Sequence, residues 1–170
     1  MLPSLDSQRI FIGDGGLETT MIFEGFELPC FAAFVLLESG AGRAALHRYY
    51  DGFLELADRD GVGFLLDTPT WRASRDWGDR LGYSSEAPAA VNRAAVALAM
   101  EVREGRQTEQ TPIAICGTVG PRGDAYSAGE EMPAAEAEEY HVEQIRTLAA
   151  RARRSLAGSA GRRPAKCVAS

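Results

Sequence analysis

The sequence predicts an α/β fold with a parallel sheet, and three observations predict it. Three short apolar runs each end in a glycine- or proline-rich turn and are each followed by a long helical pattern. The runs are near-continuously apolar rather than alternating, as in strands buried on both faces beneath covering helices. About 45–50 residues separate one run from the next, which suits a (β/α)₈ barrel or a doubly wound sheet equally.

The first run is Arg9–Gly13, closed by Asp14, Gly15 and Gly16. An irregular stretch from Leu17 to Glu38 follows. Residues 43–59 then place Ala45, Leu46, Tyr49, Tyr50, Phe53, Leu56 and Ala57 at helical spacing. The second run, Val62–Leu66, ends in Asp67-Thr68-Pro69-Thr70, where Pro69 cannot donate to a ladder and marks the strand's end. Its helix spans about Ser85 to Glu104, with Pro88 tolerated in the first turn. The third run is Pro112–Cys116, ending in Gly117-Thr118-Val119-Gly120-Pro121, and Pro133 opens an Ala- and Glu-rich helix to about Ala150.

The chain has 170 residues, 45% apolar and 25% charged, enough for a globular domain and too apolar for a disordered one. Its formal charge of -6 is unevenly spread. Residues 151–170 hold six basic side chains and no acid, leaving 12 basic and 24 acidic residues in 1–150. A body that acidic repels phosphate backbones, so no nucleic-acid partner is expected. The segment 151–170 lacks the apolar content of a fourth strand and reads as a disordered basic tail. No apolar run approaches the roughly 18 residues of a membrane span, and the N-terminus lacks a secretory pattern. Three cysteines without CxxC spacing argue against a disulfide framework and for a cytoplasmic protein, and local spacing offers no zinc site.

In parallel α/β folds chemistry sits at the carboxyl ends of the strands, where all three candidate motifs lie. In Asp14-Gly15-Gly16, paired glycines let backbone N–H groups hold a carboxylate while Asp14 pairs with an ammonium, which suits an amino acid; the competing reading is an Asp-capped tight turn. Thr19 stands where a dinucleotide fingerprint needs its third glycine. In Asp67-Thr68-Pro69-Thr70-Trp71-Arg72, the tryptophan can wall a pocket for a cationic methyl donor or simply pack the loop onto the rim. Gly117, Gly120 and Pro121 fix a sharp loop, and the Arg122-Gly123-Asp124 triplet reads as chance. His47 and His141 fall on helices as surface or packing residues, and Glu136, Glu138 and Glu139 form a solvated face.

Together these motifs resemble the N-terminal half of the homocysteine S-methyltransferase family. The resemblance rests on DGGLETT at 14–20, LPCFAAF at 28–34, DTPTWRAS at 67–74, GYSSE at 82–86, VNRAAV at 91–96, GTVGPRGD at 117–124 and EEYHVEQIRTLA at 138–149, in that order. It covers about residues 8–150 and implies a (β/α)₈ TIM barrel, of which this chain carries about the first three β-α units and then a non-family basic tail. The implied reaction is methyl transfer from a donor such as a sulfonium compound to the homocysteine thiol, giving methionine. Asp14, Gly15 and Gly16 match the motif that grips the amino and carboxylate groups of homocysteine. Asp67, Thr68, Thr70 and Trp71 match the second-strand motif, whose aromatic lines the donor side. Gly117, Gly120 and Pro121 match a loop whose part is shape.

The resemblance also implies zinc, which deprotonates the thiol at neutral pH. The family's ligands are one cysteine after the sixth strand and an adjacent pair near the eighth, and no position here matches them, so Cys30, Cys116 and Cys167 are not expected to bind metal. The fifth-strand acid of the amino-group site has no counterpart either. The expectation is therefore a truncated chain, as a frameshift near Ala150 would produce. Methyl transfer would then need an oligomer or a complementing chain. The alternative is a catalytically inactive fragment or a non-catalytic partner subunit.

Overall fold

The computed structural model describes residues 9–125 and 132–157; the segment 158–170, which carries most of the expected tail, lies outside them. Three strands form one parallel sheet in the order β1 (Phe11–Gly13), β2 (Gly63–Asp67), β3 (Ile113–Cys116). Between β1 and β2 the chain makes α1 (Leu17–Phe23), two short 3₁₀ turns and α2 (Gly40–Asp60). Between β2 and β3 it makes α3 (Arg75–Arg80) and α4 (Ala87–Arg106), and α5 (Ala134–Ala157) follows β3.

The three expected strands form, each trimmed or shifted by one or two residues, and their pairing is parallel as the apolar runs implied. The stretch from Leu17 to Glu38 is not irregular, since it holds α1 and the 3₁₀ turns Pro29–Phe31 and Ala33–Glu38. The helix α3 falls in a segment without an expected element. The last helix continues past the expected end at Ala150 to Ala157, so residues 151–157 have helical backbone rather than tail conformation.

Local chemistry sets the helix ends. Ser39 Oγ accepts the Gly42 N–H at 3.0 Å and caps α2, and Gly61, at φ 64°, closes it in the left-handed conformation that glycine adopts without steric cost. Pro88 occupies the first turn of α4, where its missing N–H costs nothing.

Register places Ile12, Phe64 and Ile113 side by side across the sheet. Phe64 and Ile113 are buried against α2 and α4, in a core with Met21, Phe34, Leu46, Tyr50, Leu54 and Leu98. Each such side chain contributes about 1.5–3 kcal/mol by leaving water. Right-handed crossovers between sequential neighbours carry successive helices to the same face of a sheet, and α2 and α4 do touch each other. β1 departs from the expected two-faced burial: Phe11 and Ile12 are half-buried and Gly13 is exposed. Gly63 lets the Phe11 ring lie against β2, since a Cβ there would collide with that ring. Among the described residues no helix is long and apolar enough to cross a membrane.

Candidate functional site

The carboxyl ends of β1 and β2 open onto one solvent-open cleft of about 160 Å³. β1 runs directly into Asp14, Gly15 and Gly16. Gly16, at φ 72°, turns the chain into α1, so that Leu17 and Glu18 line the same cleft. β2 ends on Asp67, and Thr68 and Trp71 in the loop after it also line the cleft. Tyr49 from α2 and Thr118 after β3 complete the lining.

The structure thus brings together Asp14, Gly15, Gly16, Asp67, Thr68 and Trp71. Thr70 does not line the cleft; it is fully buried behind it. Its hydroxyl donates to the Thr118 carbonyl at 2.7 Å, which uses its one proton, so the 2.7 Å contact between the two hydroxyls has Thr68 as donor. Thr68 Oγ in turn accepts the Thr118 N–H at 3.1 Å. The result is a closed ring of hydrogen bonds that begins and ends on the Thr118 backbone and ties the β2 loop to the β3 loop.

Gly120 lies directly against Trp71, where a Cβ would collide with the Trp71 carbonyl and indole, and Gly117 is packed under Leu148 of α5. These two glycines act through shape. Pro121 is exposed on the turn. The Arg122-Gly123-Asp124 triplet is engaged within the chain: Arg122 reaches Asp76 at 2.9 Å and Glu136 at 2.6 Å, and Asp124 pairs with Arg72 at 3.6 Å.

Four residues of the lining are not singled out by the sequence: Leu17, Glu18, Tyr49 and Thr118. Tyr49 and the adjacent Tyr50 sit at core positions of α2, and their hydroxyls reach up to the Gly15 and Asp67 carbonyls at 2.9 and 2.8 Å. The available signal was chemical, since a buried tyrosine tip requires a partner.

The electrostatics are acidic. Burial and the neighbouring Asp67 carboxylate push Asp14 up to about 6. The Tyr49 hydroxyl, its one proton aimed at Gly15, opposes this rise only in part. Burial also raises Asp67, against a hydrogen bond from the Cys116 thiol, and raises Glu18, against its own backbone N–H and the charge of Arg72. The charge of Arg72 comes from an almost fully buried guanidinium stacked between Trp71 (4.3 Å) and Trp77 (3.7 Å). Trp71 therefore already carries a cation from within the chain, and a cationic ligand has only the remainder of its ring to use.

His47 and His141 lie on α2 and α5, outside the cleft lining, and Glu136, Glu138 and Glu139 are exposed on α5. Cys116 is half-buried at the end of β3, opposite Asp67 in register, and Cys30 is exposed on a 3₁₀ turn, while Cys167 lies outside the described residues. Among the described residues no three His, Cys, Asp or Glu converge in a way that could hold a metal ion.

A model of the homocysteine S-methyltransferase family matches residues 11–157. Among solved structures, the chain is similar to the homocysteine methyltransferase MmuM from Escherichia coli in its metallated form, with a TM-score of 0.65 and 20% identity. The match covers 86% of this chain and 51% of that one, so this chain spans about half the length of the structure it resembles. At that identity the likeness establishes a shared fold. Among curated proteins no relative matches.

Proposed function

Because the chain belongs to the homocysteine S-methyltransferase family, we propose that its cleft binds homocysteine and that its three β-α units form part of the wall of a (β/α)₈ barrel. The barrel reading is supported by sequential strand order and by mutual contact of α2 and α4; a doubly wound sheet reverses its strand order to cover both faces. The binding reading is carried by one observation: Asp14, Glu18 and Asp67 converge with the Gly15–Gly16 backbone at the carboxyl edge of the sheet.

Homocysteine presents an ammonium, a carboxylate and a thiol. An ammonium between Asp14 and Asp67 relieves the repulsion that raises Asp14, and the charge-assisted bonds replace water lost on binding. The Gly15 and Gly16 N–H groups can approach the carboxylate because no Cβ stands between. Thr68 retains acceptor capacity, and Trp71 supplies an apolar wall on the side assigned to a methyl donor, a sulfonium or related methylated compound. In the family reading a zinc ion activates the thiol. The described residues do not fit such an ion, and the chemistry derived for this chain is binding and orientation of the substrate.

Isothermal calorimetry with L-homocysteine on the full chain tests the assignment. One equivalent is expected to bind, and Asp14→Asn is expected to weaken binding by about tenfold to a hundredfold, the worth of a hydrogen bond to a charged group. An unchanged affinity in Asp14→Asn, or no binding by the parent chain, overturns the assignment. Transfer of a labelled methyl group from a sulfonium donor, measured with the metal content of the same sample, tests whether the chain alone performs the family's reaction.

A further inference from the structure

We propose that Gln144 on α5 and Asn92 on α4 are positioning residues of the cleft, a relay of two buried amides that fixes where Trp71 stands; their effect on ligand affinity rests on the homocysteine reading above. Thr70 and Ala73 bracket a turn in which the Ala73 N–H donates to the Thr70 carbonyl at 2.9 Å, with Trp71 and Arg72 at its centre. Both carbonyls of that turn are held from behind. Gln144 Nε2 donates to the Thr70 carbonyl at 2.9 Å and to Asn92 Oδ1 at 3.2 Å. Asn92 Nδ2 donates at 2.7 Å to the Ala73 carbonyl and at 2.7 Å to the Pro88 carbonyl of its own helix. Gln144 is 6% exposed and Asn92 1%, so water does not compete for these bonds.

Two features separate positioning from mere packing. The amide of Gln144 faces two acceptors, which leaves its own Oε1 buried without a partner among the described residues. A residue selected only to fill that volume would be apolar and leave no bare oxygen. The second feature is where the relay points. It converges on the one turn that carries Trp71, whose carbonyl and indole lie directly against Gly120, so the amides and that glycine together set where the turn presents the indole.

The test is the indole N–H resonance of Trp71 in the full 170-residue chain, assigned with Trp71→Phe, together with L-homocysteine affinity. Gln144→Met keeps the volume and removes the donors. It is expected to shift the Trp71 resonance and to weaken homocysteine binding about tenfold or more, as small misplacements of a site wall do. Val102→Ala, in the core on α4 and away from the turn, lowers the thermal midpoint and is expected to move neither readout. The proposal is overturned if Gln144→Met leaves the Trp71 resonance in place, or if Val102→Ala shifts it equally. Should Gln144→Met fail to fold, Gln144→Glu at pH 8 makes the same comparison with the shape kept and the donor lost. If the parent chain binds no homocysteine, the reading of the cleft falls, while the Trp71 resonance still decides the positioning claim.

Discussion

Asp14 holds its proton up to about pH 6 because burial and the Asp67 carboxylate both penalise its charge. The folded chain therefore binds that proton more tightly than the unfolded one, for which the ordinary value is 3.8. The resulting stability is present below the unfolded value, is lost as pH rises toward about 6, and is flat above. Thermal midpoints of the parent chain should fall between pH 4 and 6, and Asp14→Asn should flatten the fall, leaving the smaller share of Asp67 and Glu18, which shift in the same direction. Superimposable profiles would show that Asp14 is not the titrating group. Ligand binding runs the opposite way: an ammonium needs the ionised carboxylate, so homocysteine affinity should rise with pH through about 6 and then level off. Gly120 gives a second prediction at this scale. Gly120→Ala forces a Cβ into the Trp71 backbone and indole, whereas Gly123→Ala has open space around it. The first should weaken homocysteine binding and shift Trp71 fluorescence, and the second should do neither.

Among the elements, α2 illustrates what a short sequence signal accomplishes. Ser39→Ala removes the side-chain acceptor that caps the helix start and is expected to cost about 1 kcal/mol, measurable by urea unfolding. An unchanged midpoint would mean that the first turn frays at no cost. The long helices and the three strands are legible in the sequence, since Leu46, Tyr50, Phe53 and Ala57 repeat over several turns and Phe64–Leu66 is apolar without a break, although Leu56, counted on that face, is exposed and Leu54 takes the buried position. α1 and α3 were not readable, because seven and six residues span less than two turns and no periodicity builds up over that length. The end of α5 was missed for another reason. Residues 151–157 lack an apolar stripe to extend the pattern, but they are rich in Arg and Ala, whose intrinsic helix propensity is high. For the site, the strand-end acids and glycines were visible because parallel sheets place chemistry there, but periodicity counted Tyr49 as one more apolar position and could not show its hydroxyl meeting Gly15. The same limit hid the partnership of Gln144 with Thr70, 74 residues apart in sequence.

At the scale of the whole molecule, α5 decides where the cooperative unit ends. It packs on α4, covers Gly117 through Leu148, reaches the Trp71 turn through Gln144, meets Ser74 through the Tyr140 hydroxyl at 2.9 Å, and receives Arg122 on Glu136. These contacts bind the last helix to the loops of both β2 and β3, so its removal strips buried apolar surface, takes one of two donors from the Thr70 carbonyl and leaves Asn92 Oδ1 without the Gln144 amide. The family match ends at residue 157, and the net positive charge of 151–170 is split by that boundary, with Arg151, Arg153 and Arg154 inside the match and Arg162, Arg163 and Lys166 outside it. A chain ending at Ala157 should therefore melt at the same temperature as the full chain and bind homocysteine with the same affinity. A chain ending at Pro133 should lose cooperative unfolding and binding together. Both are read by differential scanning calorimetry and ligand titration. A lower midpoint on removing only 158–170 would place part of the stabilising surface in the basic segment, and retained cooperativity on removing α5 would confine the folding unit to the first two β-α units and β3.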